Sequence, residues 1–160
     1  MSPQYLVELR IGPAHWRIRH TTEQLARVHG IEACMERSPH LTLYGPCKLG
    51  NTPVRAFMDA IGVTASTYDW IPFRIRGWEI REGLNGWVIA YTVEPSRALR
   101  DLRYALSSRL SSLTETENAW DRDPSRAWFH VTAANRLAEE RAWAIWHDLA
   151  IRQLRMAGDP

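Results

Sequence analysis

The sequence is poor in the features that assign a protein quickly. It has only two cysteines, Cys34 and Cys47. They show neither C-x-x-C spacing nor the density of a disulfide-stapled secreted domain, so both are expected as free thiols in a reducing compartment. No apolar run reaches the roughly 18 to 20 residues that a membrane-spanning helix needs. The N-terminal MSPQYLVELR has no charged segment followed by a long apolar one, so the expectation is a cytoplasmic protein with no membrane partner. The H-E-x-x-H pattern and Cys/His clusters at zinc spacing are both missing, and no metal site or other cofactor is expected. A glycine-rich phosphate loop is missing too, which leaves no seat for ATP-driven ligation. Lysine is the scarcest charge: Lys48 is the only one among 20 basic residues.

What is present describes a folded chain. Hydrophobic residues make up 45 % and charged residues 24 %, with eight tryptophans, a composition that disordered segments do not have. At 160 residues the length favours one domain that hides about two-thirds of its unfolded surface. The net charge of +2 is too small to announce a nucleic-acid footprint by itself. The arginine bias is compatible with phosphate chemistry, because the planar guanidinium fork matches phosphate oxygens and stacks on bases.

Periodicity and punctuation divide the chain into alternating elements. Residues 4–11 alternate as a strand closed by Gly12-Pro13, and Thr21 or Thr22 is expected to cap a helix that Gly30 stops. HLTLY at 40–44 reads as a short strand ended by Gly45-Pro46. Asn51-Thr52-Pro53 opens a helix to Gly62. Residues 71–82 and 86–93 form a hairpin around Gly83-Leu84-Asn85. Pro95-Ser96 opens a helix whose Leu99, Leu102, Leu106 and Leu110 recur at helical spacing. A polar loop at 114–126 precedes a strand at 127–133 and a terminal helix at 137–154, with Ala142, Ile145, Leu149 and Ala150 on one side.

Two strings carry the chemistry: His40-Leu41-Thr42-Leu43 and His130-Val131-Thr132-Ala133, about ninety residues apart. Side chains alternate on a strand, so each His shares a face with its Thr while the aliphatic pair points the other way. Brought together, one neutral imidazole can take a proton from an attacking oxygen while the other, protonated, donates to the leaving oxygen. The two hydroxyls can hydrogen-bond the non-bridging oxygens of a phosphodiester.

With Pro39 before the first tetrad, Gly45-Pro46 after it and the β/α order over residues 4–135, this arrangement resembles the 2H phosphoesterase superfamily, which includes 2′-5′ RNA ligase-like proteins and RNA 2′,3′-cyclic phosphodiesterases. The resemblance implies an α+β, bilobal fold with two antiparallel sheets, outer helices and a central cleft, the two lobes being pseudo-equivalent halves of a single domain. It implies His40 and His130 as the catalytic pair and Thr42 and Thr132 as phosphate-binding residues. About twenty-seven residues follow Ala133 and read as one helix, fewer than the family usually has there. The second lobe is therefore expected to be a compact variant, to stop short, or to take its missing edge from a partner.

Tyr44 continues the parity of His40, and Arg126 and Trp128 share that of His130. These three are candidate substrate contacts, the aromatics stacking a base and Arg126 meeting a second phosphate. Lys48 and Arg136 read as ordinary exposed cations; His15, His20, His29 and His147 read as surface residues. Trp143 and Trp146, three apart on the last helix, suggest core packing or a stripe for self-association. The expected activity is metal-independent hydrolysis of a 2′,3′-cyclic phosphate, on an RNA end or a nucleotide, to a 2′-phosphate, with 2′-5′ RNA ligation as its reverse. The alternatives are a small-nucleotide phosphodiesterase acting on an ADP-ribose cyclic phosphate or 2′-5′ oligoadenylate, and a non-catalytic RNA-end binding module.

Overall fold

The computed structural model describes residues 3–31, 38–83 and 85–157. Cys34, Leu84 of the hairpin loop and the last three residues lie outside them. Five strands are present: β1 (Tyr5–Arg10), β2 (His40–Cys47), β3 (Phe73–Gly83), β4 (Gly86–Pro95) and β5 (His130–Leu137). The helices are α1 (His15–His29), α2 (Val54–Ala65), α3 (Arg97–Leu110), the short α4 (Ala119–Arg122) and α5 (Glu139–Ala157). The α+β class therefore holds. Among the described residues the strands join one sheet in the order β1-β2-β5-β4-β3, where two sheets were expected. The two tetrad strands are neighbours in it, and β5 runs antiparallel to both β2 and β4.

By its contacts the chain separates into two compact units. One comprises residues 1–9, 42–74 and 93–129; the other comprises 10–41, 75–92 and 130–160. In the first unit α2 packs on α3, and Leu99, Leu102, Leu106 and Leu110 are all buried. Each such leucine contributes about 1.5 to 3 kcal/mol of burial free energy. The Ser96 hydroxyl caps α3 by accepting from the Leu99 amide at 3.2 Å, as a serine there should. In the second unit Leu25 and Ile31 meet Ile89, Ala133, Leu137, Ala142, Ile145 and Leu149, with Trp78, Ile80 and Trp87 packed against the cluster. The α5 face expected from its periodicity is the one buried.

Several boundaries differ from the sequence expectation, among them the end of α2, which runs past Gly62 to Ala65. Helix α1 starts at His15, after a 3-10 turn at Gly12–Ala14 with Pro in its first turn. Thr21 and Thr22 do not cap it; their hydroxyls donate back to the carbonyls of Arg17 and Ile18, one turn earlier in the same helix. Strand β2 runs on through Gly45 to Cys47. Gly45 has φ +92, and a Cβ there would sit 2.7 Å from the Tyr5 carbonyl oxygen, so no other residue fits without a shift of backbone. Strand β5 begins at His130, and Arg126 instead ends a 3-10 turn, Pro124–Arg126. No helix among the described residues is long and apolar enough to cross a membrane.

Candidate active site

The burial of the two tetrads follows the strand alternation. In each, His and Thr are half-buried while the intervening and following residues are buried: Leu41 and Leu43 in β2, Val131 and Ala133 in β5. Leu41 pairs with Val131 in the antiparallel register, so His40 lies opposite Thr132 across the two strands. Thr42 follows two residues after His40, on the same side of its strand. The register thus brings the imidazole of one tetrad beside the hydroxyl position of the other.

His40 has a defined tautomer. Its Nδ1 lies 2.8 Å from the Ser38 carbonyl oxygen, which can only accept, so Nδ1 carries the proton. In the neutral ring the lone pair is then on Nε2, the arrangement a general base needs. His130 is set by the opposite strand: Thr92 of β4 is its register partner, as Ala90 is for Thr132. The Thr92 hydroxyl donates to Glu79 Oε2 at 3.2 Å, and Arg81 Nε donates to the other Glu79 oxygen at 2.6 Å. A hydroxyl, a carboxylate and a guanidinium thus continue the row that starts at His130. Sequence reading missed them, because only the β4–β5 register and the β3–β4 hairpin bring residues 79, 92 and 130 together.

A second missed group lies in the first unit, behind Thr42. Arg103 and Asp121 are each 3 % exposed and paired at 3.4 Å. Arg103 Nη1 donates to the carbonyls of Thr42 at 3.2 Å and Leu43 at 2.6 Å, and its Nη2 to the Trp120 carbonyl at 3.4 Å. Asp121 accepts from the Gly45 amide at 3.0 Å and from the Thr116 hydroxyl at 2.9 Å. The guanidinium also lies 5.8 Å from the ring centre of Phe129, the residue before His130. Burial pushes the Asp121 carboxyl up, and the bonds from Thr116, Gly45 and Arg103 pull it back; burial likewise lowers Arg103.

The weaker candidates separate. Tyr44 is 0 % exposed, and its hydroxyl meets Thr114 Oγ1 at 2.7 Å, so its ring has no face for a base. Parity fails at this position because Leu43, Tyr44 and Gly45 are buried in succession. Trp128 precedes β5 and is half-buried in an edge-to-face contact with Trp120, 6.3 Å between rings. Arg126 is exposed. Neither lies on the strand whose parity suggested it. Lys48 bridges to Glu115 through paired backbone hydrogen bonds of 2.8 Å, and Arg136 has φ +56. His29 meets Asp148 at 3.2 Å, and His20 meets Gln24 at 2.9 Å. Trp143 is 43 % exposed and packs edgewise on Trp146 and against Trp87. Cys47 is a buried free thiol. Among the described residues no three His, Cys, Asp or Glu side chains gather as metal ligands.

No curated protein and no solved structure gives a significant match. The family model of the 2′-5′ RNA ligase superfamily matches residues 12–159. That span holds both tetrads, and the superfamily generally comprises phosphodiesterases and ligases. The chain accordingly belongs to the 2′-5′ RNA ligase superfamily, the 2H phosphoesterases.

Proposed function

We propose that the protein is a metal-independent phosphodiesterase that opens a 2′,3′-cyclic phosphate, on an RNA end or a nucleotide, to a 2′-phosphate. The observation that carries this reading is the pairing of Leu41 with Val131, which puts His40 of one tetrad opposite Thr132 of the other. His40, with Nε2 unprotonated in its neutral form, takes a proton from water as the water oxygen attacks phosphorus. The bond from phosphorus to the 3′ oxygen breaks, and protonated His130 gives its proton to that oxygen. The product has a 2′-phosphate and a 3′-hydroxyl, and the two histidines have exchanged protonation states. Thr42 and Thr132 hydrogen-bond the non-bridging oxygens as negative charge grows on them. With a 5′-hydroxyl end in place of water as the attacking oxygen, the same step joins that end to the cyclic phosphate and makes a 2′-5′ linkage, the 3′ oxygen again leaving with the proton from His130.

The test is turnover of 2′,3′-cyclic mononucleotides and of a cyclic-phosphate-ended oligoribonucleotide in the presence of EDTA. The wild type should act on at least one and release the 2′-phosphate, and His40→Ala and His130→Ala should each lose about 10²- to 10⁴-fold. Binding without turnover by the wild type would instead indicate an RNA-end binding module.

A further inference from the structure

Consecutive carbonyls of a regular strand point to opposite edges. One nitrogen of Arg103 nevertheless reaches both the Thr42 and the Leu43 carbonyl, so the chain leaves regular strand geometry at the phosphate-binding threonine. The three consecutive buried residues that follow mark the same departure. Beyond it, side chains from the α3–α4 segment satisfy the backbone of β2. Asp121 takes the Gly45 amide, and Asn118 Nδ2 donates to the Gly45 carbonyl at 3.1 Å. Buried backbone groups need such partners. None of these side chains belongs to either tetrad.

We propose that Arg103, held by Asp121, is a positioning residue that sets the Thr42 peptide and so aims the Thr42 hydroxyl at the phosphate; this rests on the phosphodiesterase reading. Lysine cannot replace it, because an ammonium lacks the planar fork that serves Asp121 and the carbonyls together.

The discriminating experiment is a double-mutant cycle on the full chain with a 2′,3′-cyclic mononucleotide, with thermal unfolding run beside it. Arg103→Lys should lower kcat/KM about tenfold or more. Little of that loss should remain when Thr42 is already alanine, because coupled residues are non-additive. In the Thr132→Ala background it should multiply in full. Equal losses in both backgrounds would show a merely structural role, and an unchanged kcat/KM would end the proposal. Asp121→Asn, which keeps the shape of the side chain, should show the same pattern more weakly and serves if Arg103→Lys does not fold. If the wild type has no turnover, the phosphodiesterase reading fails, and threonine methyl NMR decides the positioning separately. The Thr42 methyl should shift in Arg103→Lys or Asp121→Asn while the Thr132 methyl stays; an unmoved Thr42 methyl overturns it.

Discussion

The two tetrads share a motif and a burial pattern, yet they are supported in different ways. In β5, His130, Val131 and Thr132 each have a register partner in β4: Thr92, Tyr91 and Ala90. In β2 Leu41 pairs with Val131 of β5 and β1 lies along the other edge, and to this ladder Arg103, Asp121 and Asn118 add side-chain bonds to the backbone from Thr42 to Gly45. A ladder is made of backbone, so it tolerates changes of side chain. The support that Thr42 has in addition is built from particular side chains, and it includes a buried ion pair. Equal motifs should therefore tolerate mutation very unequally around them.

The largest effects should be symmetric. His40→Ala and His130→Ala should each cost about 10²- to 10⁴-fold in kcat at unchanged fold, since each removes one proton-transfer partner; single-turnover kinetics beside circular dichroism checks this. A large inequality between them would break the symmetry of role that the matching tetrads suggest.

The supports should then separate. Arg103→Met leaves Asp121 buried without its cation and should destabilise by about 3 to 5 kcal/mol. Thr92→Val removes one half-exposed hydrogen bond to Glu79 and should cost about 0.5 to 1.5 kcal/mol. Urea denaturation measures both, and comparable losses would refute the contrast between the ladder and the side-chain clamp. Pairing Arg103→Met with Asp121→Leu sharpens it: the double variant should recover stability, because no buried charge is left unpaired.

The alkaline side probes the β2 support by pH. Burial raises Tyr44 above its ordinary 10.0 and Cys47 above its ordinary 9.0. Between the ordinary and the raised values the unfolded chain has lost protons that the folded one keeps, so stability falls as pH rises through that window. The melting temperature should decline above about pH 9, and less steeply in Tyr44→Phe once its lower baseline is subtracted. The smallest effect belongs to the surface: breaking the exposed Arg55–Asp59 pair, 3.8 Å apart at one turn of α2, should change stability by less than about 0.5 kcal/mol.

Much of this was legible in the chain. The helical repeat of Leu99, Leu102, Leu106 and Leu110 and the face of α5 were readable because helical periodicity is local. The alternation in HLTL and HVTA was readable for the same reason on a strand. The start of α1 was misplaced because Thr21 and Thr22 are good caps by type, yet their hydroxyls also serve the carbonyls four residues back inside a helix. Tyr44, Arg126 and Trp128 were placed by parity. Parity holds only while a strand stays regular, and it ends after Thr42 in one case and does not begin until His130 in the other.

The sequence by itself determined the two His-x-Thr faces, the α+β class and the family to which they belong, since each depends on residues a few positions apart or on a whole-chain pattern. Only the tertiary structure decided that the tetrads are antiparallel neighbours in one sheet, that Thr92 stands beside His130, and that Arg103 and Asp121 hold the Thr42 backbone. The reason is the order of the energies. Local alternation is dictated by backbone geometry, whereas register and buried pairing come from desolvation and close packing between segments far apart in sequence. Those quantities exist only once the chain has folded.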